Sequence, residues 1–203
     1  MTPETEFISI LGAGAAGDTS AAAKSWWKSL PEALPILGLS DIVIFPGTVT
    51  PLLVETQQSI RLIDDVVAGD RFLGLVLQRR PEVENPAPAD LYQFGCAGRV
   101  AKMLKFPDGT VRVLVEGLRR FRILDYTSQT PYLIARTQKL KDLADASLEL
   151  TAMARTAERE FQEIVKLSPT LAEQVKIAAL NTEDPGKLAD LIAANLNLSL
   201  EER

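Results

Sequence analysis

The 203-residue sequence predicts an α+β protein in which a barrel-like β unit is followed by a small group of helices. Short apolar runs separated by glycine and proline fill residues 34–139, and this pattern is typical of strands and turns. In the following residues, apolar side chains recur about every 3.6 residues, which is typical of amphipathic helices. Strands followed by helices, without regular alternation of the two, favour the α+β class over a parallel α/β fold.

The β unit opens with short strands separated by turn residues. We predict strands at the apolar runs of residues 36–39, 42–45 and 51–54. Pro46-Gly47 ends the second run and favours a turn. A helix is predicted over residues 57–68, because apolar side chains recur there at helical spacing and Gly69 follows as a stop signal. We expect this helix to close one end of a barrel; the alternative is that it forms a surface for a partner.

The remaining strands include one long hairpin. Strands are predicted at residues 72–78, 92–105, 111–116, 119–126 and 132–139. Residues 79–90 contain three prolines and no apolar period, so they predict a loop. Gly95 and Gly98 are expected at bends or bulges of their strand. Pro107-Asp108-Gly109 favours the backbone angles of a tight turn and therefore predicts a hairpin.

The C-terminal third predicts three helices. They are expected at residues 148–167, 171–180 and 186–195. The first is amphipathic and would place on one side the apolar residues Ala157, Phe161, Ile164 and Val165. Pro185 stands near the first position of the last helix, where the missing N–H of proline costs nothing.

Charge and composition exclude several classes of function. Residues 1–140 carry 15 acidic and 15 basic side chains, whereas residues 141–203 carry 12 acidic and 7 basic ones. Without a concentrated basic field, nucleic-acid binding is disfavoured. The chain has no histidine and a single cysteine, Cys96, so imidazole catalysis, an internal disulfide and a thiolate zinc site are all excluded. We expect Cys96 to be a core residue, and no metal or cofactor to be bound.

Two motifs suggest ligands, but we favour a mobile N-terminal arm for the first and a structural role for the second. Gly12-Ala13-Gly14-Ala15-Ala16-Gly17 matches a dinucleotide-binding pattern, but the strand–helix alternation that such a fold needs is missing. Asp18 stands where a phosphate loop needs its lysine. The run Arg119-Arg120-Phe121-Arg122 could bind RNA through phosphate contacts and stacking. We favour instead an edge strand that its charges protect from aggregation.

The N-terminus does not have the features of a signal peptide. Glu4 and Glu6 precede the apolar run of residues 7–17, where a signal peptide would have basic residues. The run is also too short to span a bilayer. We therefore expect a cytoplasmic protein that does not bind membranes.

Several pieces of the sequence, in this order and spacing, resemble the N-terminal substrate-binding domain of the Lon family of ATP-dependent proteases. The pieces are Leu34-Pro35-Ile36-Leu37, Ile44-Phe45-Pro46-Gly47, Pro51-Leu52, Asn85 to Tyr92, Phe106 to Gly117, and the stretch from Asn181 to Arg203. The resemblance covers about residues 33–200. Two features depart from it: Gly38 and Leu39 stand near the place of an arginine found in many members, and the segment before Leu34 is longer than usual.

The resemblance implies a PUA-like β pseudo-barrel, followed by a small helical bundle, that recognises substrates and has no active site. It implies a β domain at residues 33–140 and a helical subdomain at 141–203. The residues before them, 1–32, are expected to form an N-terminal extension that is partly mobile. We expect the last to continue into a linker to an ATPase, followed by a protease with a serine nucleophile. The alternative is a free-standing PUA-like domain that binds RNA or a small molecule.

The implied function is to bind unfolded or damaged polypeptides, with several copies cooperating in an oligomer. Such binding needs modest exposed apolar patches. Candidate patches are expected where apolar residues stand at strand ends and hairpin tips: Met103, Leu104, Phe106 and Pro107 at the hairpin, and Phe45 and Pro46 at the earlier break. The alternative for both groups is that they only close the barrel.

Overall fold

The computed structural model describes residues 30–141, 147–168 and 173–202. The glycine-rich motif at residues 12–17 and Trp26-Trp27 lie outside the described residues. Contacts divide the described chain into a β unit, residues 30–141 with 198–202, and a helical unit, residues 147–168 and 173–197.

The β unit is a mixed six-stranded sheet with one α-helix. Its elements are β1 (Ala33–Leu39), β2 (Val49–Val54), α1 (Gln57–Ala68), β3 (Phe72–Leu77), β4 (Phe94–Lys105), β5 (Val111–Ser128) and β6 (Ile134–Lys139). The strand order is β2-β5-β4-β3-β1-β6, and β6 also pairs with β5. Five strands therefore form a ring, and β2 is attached to it through β5. The strand β1 runs parallel to β3, whereas the other pairs are antiparallel. The predicted α+β class is confirmed.

The core lies between the inner faces of these strands and α1. From α1 it receives Leu62, Ile63 and Val66, all with 4% exposure or less. They pack with inward side chains of the sheet such as Val113, and fully burying one such side chain stabilises the fold by roughly 1.5–3 kcal/mol. The hydroxyl of Thr56 caps the helix by accepting from the backbone N–H of Ser59 at 3.2 Å. The predicted span of α1 and its end at Gly69 are confirmed.

Three predictions about the strands were wrong. Residues 42–45 do not form a strand, although Ile44 and Phe45 are buried. Their apolar character reflects burial of an irregular segment, which a short apolar run cannot distinguish from a strand. The strands predicted at residues 111–116 and 119–126 are one strand, β5, of 18 residues. The segment Arg119–Arg122 is therefore not at an edge, because it pairs with β4 on one side and, from Phe121, with β6 on the other.

Gly117 explains why β5 continues where the sequence suggested a break. A Cβ atom at this position would lie 2.3 Å from the backbone oxygen of Phe45. The Gly47 N–H donates to Gly117 O at 2.8 Å, and the Gly117 N–H donates to Thr48 O at 2.8 Å. Glycine is thus required by the close approach of the buried 42–48 segment, and it leaves the strand intact.

The helical unit contains α2 (Leu148–Leu167), α3 (Glu173–Leu180) and α4 (Pro185–Asn195). Its small core contains Phe161, Val165, Ala179 and Leu188. The prediction that Ala157 and Ile164 belong to the buried side of α2 was wrong, because both are exposed and Ala154 packs against the core instead. The α4 helix begins at Pro185, as expected, and the Asp184 carboxylate caps it by accepting from Lys187 N–H at 3.0 Å.

Candidate functional site

The hairpin between β4 and β5 has the tight turn that the sequence predicted. The Phe106 N–H donates to Thr110 O at 2.9 Å, and the Gly109 N–H donates to Phe106 O at 3.0 Å. Gly109 has a φ of 87°, which favours glycine. The Asp108 carboxylate accepts from the backbone N–H and the hydroxyl of Thr110, at 2.9 and 2.7 Å. These hydrogen bonds lower the pKa of Asp108 and hold the turn closed.

The four hairpin candidates do not share one environment. Met103 pairs with Val113 and packs against the core, so it belongs to the inner face. Leu104 follows Met103 in β4 and pairs with Arg112. Because successive residues of a strand face opposite sides, Leu104 lies on the outer face, where it is only partly buried. Phe106 is partly buried, and the guanidinium carbon of Arg112 stands 4.7 Å from its ring centroid. Pro107 is exposed at the tip.

The outer face continues across β5 onto β2. In β2, Leu52 and Val54 are buried, whereas the alternate residues Val49, Pro51 and Leu53 face outward and are exposed. Leu53 is 55% exposed and pairs with Arg112, the same residue that pairs with Leu104 from the other side. We name the resulting surface the outer patch and define it as Val49, Pro51, Leu53, Leu104, Phe106 and Pro107.

Sequence reasoning missed the β2 half of the outer patch. The signal was present: once Leu52 and Val54 are assigned to the core, the alternation of a strand places Leu53 outside. What the sequence did not contain was the pairing of β2 with β5, which brings Leu53 level with Leu104 on opposite sides of Arg112.

Phe45 and Pro46 lie away from the hairpin pairs and are less accessible than expected. Phe45 is 7% exposed, and the Arg120 guanidinium carbon stands 6.0 Å from its ring centroid. Its backbone oxygen accepts from the hydroxyl of Thr48 at 2.6 Å. Pro46 is partly buried. The burial of Phe45 removes the exposure that suggested this candidate, so the break contributes mainly to the core.

Phe121 is also unavailable for the stacking that RNA binding would need. Its ring is 1% exposed inside the β unit, while Arg120 and Arg122 on either side face outward. This alternation follows from the period of a strand, because β5 runs through Phe121 without interruption. Stacking of a base on Phe121 therefore cannot occur in this fold.

The loop between β3 and β4 is held by polar side chains. The carboxylate of Asp90, a residue with 5% exposure, accepts from the Ala87 N–H at 3.0 Å and from the Arg80 guanidinium. The hydrogen bonds from Arg80 and then from Ala87 lower the pKa of Asp90. The Arg79 Nε donates to Leu91 O at 3.1 Å, and its guanidinium carbon stands 4.5 Å from the Tyr92 ring centroid. This loop contains the Asn85–Tyr92 piece that contributed to the resemblance.

Neither a metal-binding cluster nor a membrane-spanning helix occurs in the part of the chain that the structure describes. Within it, no group of three or more cysteine, aspartate or glutamate side chains is placed to hold a metal ion. None of its helices is both long and apolar enough to cross a membrane.

A β unit with a modest exposed apolar patch, joined in sequence to a small helical unit, is an architecture found in solved proteins. The solved N-terminal domain of Mycobacterium avium complex Lon protease has this fold, with a TM-score of 0.67 and 18% identity over 84% of this chain and 86% of that one. The family model of the ATP-dependent protease La (LON) substrate-binding domain matches residues 33–203. The chain belongs to this family, and the resemblance inferred from its sequence is confirmed.

Curated relatives place the match within longer proteins. The chain is 37% identical over 176 residues to the Lon protease of Dictyoglomus thermophilum and 40% identical over 174 residues to that of Roseiflexus castenholzii. These alignments cover 87% and 86% of this chain, but 22% of each relative. The chain thus spans about a fifth of the length of the relatives it matches.

Proposed function

We propose that this chain is the substrate-recognition module of an ATP-dependent Lon-type protease and that it binds unfolded or damaged polypeptides through the outer patch. The observation that supports this site is the exposure of apolar side chains on a regular strand, with Leu53 at 55% and Val49 at 42%. Beside them lie Leu104 and Phe106 of the hairpin. Exposed apolar residues grouped in this way are typical of interaction sites.

The chemistry of the patch fits an unfolded chain. Such a chain offers no fixed shape, so its recognition depends on apolar area, at roughly 25 cal/mol per Å² before ordering costs. Two or three side chains then give about micromolar to millimolar affinity for one copy. Cooperation of several copies in an oligomer would raise the effective affinity. Folded proteins have their apolar side chains covered and would be ignored.

The remaining parts of this proposal concern the whole protein. The closed ring of strands supports the assignment of a PUA-like pseudo-barrel. We assign residues 1–32 to an extension, 33–140 to the β domain, and 141–203 to a helical subdomain that continues toward an ATPase and a serine protease. The module itself would hydrolyse neither ATP nor peptides, and it would act in the cytoplasm.

The proposal predicts that replacing Leu104 and Phe106 together with serine weakens binding to a permanently denatured protein by about tenfold, because most of the apolar contact at the hairpin is lost. Binding is measured by titration with the same protein in denatured and native forms. The native form of the test protein should bind neither the parent chain nor the double variant. Added salt should not weaken the contact, since charge pairing does not drive it.

A matched control is Leu124→Ser. Leu124 is a 51% exposed leucine of β5 outside the patch, so its replacement removes similar apolar area elsewhere. It should leave binding unchanged. Equal affinity of the double variant and the parent, with both folded by circular dichroism, would remove the outer patch from the proposal.

A further inference from the structure

We propose that the open edge of β2 binds an extended segment of the unfolded polypeptide as an additional β-strand. This inference rests on the proposed function and specifies the form in which the substrate is held. Among the strands that the structure describes, β2 alone pairs with a single neighbour, β5. The other five have at least two neighbours each, because β6 closes the ring, and β5 has three.

The register shows which backbone groups of β2 face the open edge. Gly117 N–H donates to Thr48 O, which makes Val49 and Glu116 a pair without mutual hydrogen bonds in an antiparallel ladder. The backbone groups of Thr50 and of every second residue after it in β2, Leu52 and Val54, then bond to β5. The same alternation directs the carbonyl groups of Val49, Pro51 and Leu53 away from β5, together with the N–H groups of Val49 and Leu53.

These groups define the chemistry of the occupant. A row of alternating backbone donors and acceptors is complementary to another extended chain. The strand has the sequence VTPLLV and carries no charged side chain, although charge is the common protection of an edge. Val49 and Leu53 flank the edge with exposed apolar side chains, so the added strand should present apolar residues beside them. The outer patch would then contact the side chains while the edge binds the backbone.

Pro51 favours a foreign chain over a second copy of β2. Proline has no N–H, and at this position the missing donor would face the open edge, so pairing with β5 loses nothing. A foreign strand loses one hydrogen bond at Pro51. Two β2 strands paired with each other would lose two, and in the symmetric register two carbonyl groups would face each other without donors. The edge therefore discourages self-association more than substrate capture.

The test uses the full chain and a short peptide of alternating valine and threonine with a lysine at each end. In a strand added antiparallel to β2, the residue opposite Val49 or Leu53 projects on the same face and exchanges hydrogen bonds with it. With valine at these positions, the valine amides therefore bond to β2 and the threonine amides face solvent. N-methylation of every valine should weaken binding by about tenfold or more, because several hydrogen bonds are lost. N-methylation of every threonine should leave it nearly unchanged.

Equal affinities of the two methylated peptides would overturn strand addition. The proposed function would survive that result if Leu104 and Phe106 still mattered for binding denatured protein, so the two failures are distinguishable. Pro51→Val supplies a second measurement: it restores the missing donor and should tighten binding of the unmethylated peptide a few-fold, and an unchanged affinity would contradict the inference. A dimer that excess peptide does not dissociate in sedimentation experiments would assign the edge to a second copy and overturn it as well.

Discussion

Two connections in the β unit are ordered by different means. The hairpin after β4 is short, and its turn is set by local backbone geometry at Gly109 and by the bonds from Thr110 to Asp108. The loop after β3 is long and has no apolar period, and it depends on the buried Asp90 for its order. Local turn chemistry leaves the hairpin side chains available for contact, whereas the loop uses its own side chains to fix itself.

The loop between β3 and β4 also contacts the residue that follows β3 and a glycine of β1. One terminal atom of the Gln78 side-chain amide, a residue with 7% exposure, lies 3.0 Å from Arg80 O and 3.1 Å from Val83 O. Because both neighbours are acceptors, we assign this atom as the amide nitrogen, which then donates to both carbonyl groups. A Cβ atom on Gly38 would lie 2.8 Å from Pro86 Cγ. The absence of a side chain at Gly38 therefore gives the loop room to lie on β1.

The largest effect is expected from Asp90→Ala, which removes the acceptor of the Ala87 N–H and the partner of Arg80. A polar group inside the loop then loses its partner, so the thermal midpoint should fall by several degrees. Limited proteolysis should show new cleavage within residues 79–91. Asp90→Asn keeps an acceptor oxygen and should be milder. A loop that resists protease equally in all three proteins would break the comparison, because Asp90 would then not be its main support.

Gly109→Val should have the next largest effect. A β-branched residue with φ near 87° costs roughly 1–2 kcal/mol of folding free energy. A Cβ at Gly109 would meet no atom within 4 Å, so the loss would come from backbone strain alone. Urea unfolding measures it. The control is Gly109→Asn, because asparagine tolerates this backbone conformation better than valine and should recover most of the lost stability. Similar losses for both variants would mean that the backbone angle is not the cause.

The smallest effects are expected from acid. The pKa of Asp90 is lowered by hydrogen bonds from Arg80 and Ala87, and that of Asp108 by bonds from Thr110. A carboxylate with a lowered folded pKa stabilises the fold above its unfolded pKa, near 4, and this contribution is lost as the pH falls through the folded pKa. The thermal midpoint should therefore decrease once the pH drops below about 4. Asp90→Asn and Asp108→Asn should each make this decrease smaller.

Features set by a few neighbouring residues could be predicted from the sequence, and features set by distant pairings could not. The turn at Gly109 and the end of α1 at Gly69 depend on local chemistry, and both were predicted. The irregular path of residues 42–45 could not be, because Phe45 is buried by its approach to Gly117, far along the chain. The position of Leu53 level with Leu104 was likewise hidden, since it required the β2–β5 register.

The candidate site was predicted in part. The hairpin residues Leu104 and Phe106 were selected because apolar residues at a turn are hard to cover, and both remain partly accessible. Phe45 was selected by the same reasoning and is buried, because an irregular segment can be covered by a neighbouring strand. Distinguishing the two requires tertiary contacts that a single sequence does not contain.

The closure of the ring by β6 has a consequence for synthesis of the chain. The backbone N–H and the hydroxyl of Thr137 both donate to the backbone oxygen of Glu32, which is 105 residues away in sequence. These bonds lie next to the residue pairs that join β6 to β1. Contacts so distant form slowly, because a long loop must close first. During translation, β4 and β5 can pair as soon as they emerge from the ribosome, and β1 can pair with β3, while the other edge of β1 must wait for β6. A nascent chain paused just before residue 134 would therefore leave strand edges exposed, and this interval is when the domain would itself resemble an unfolded protein.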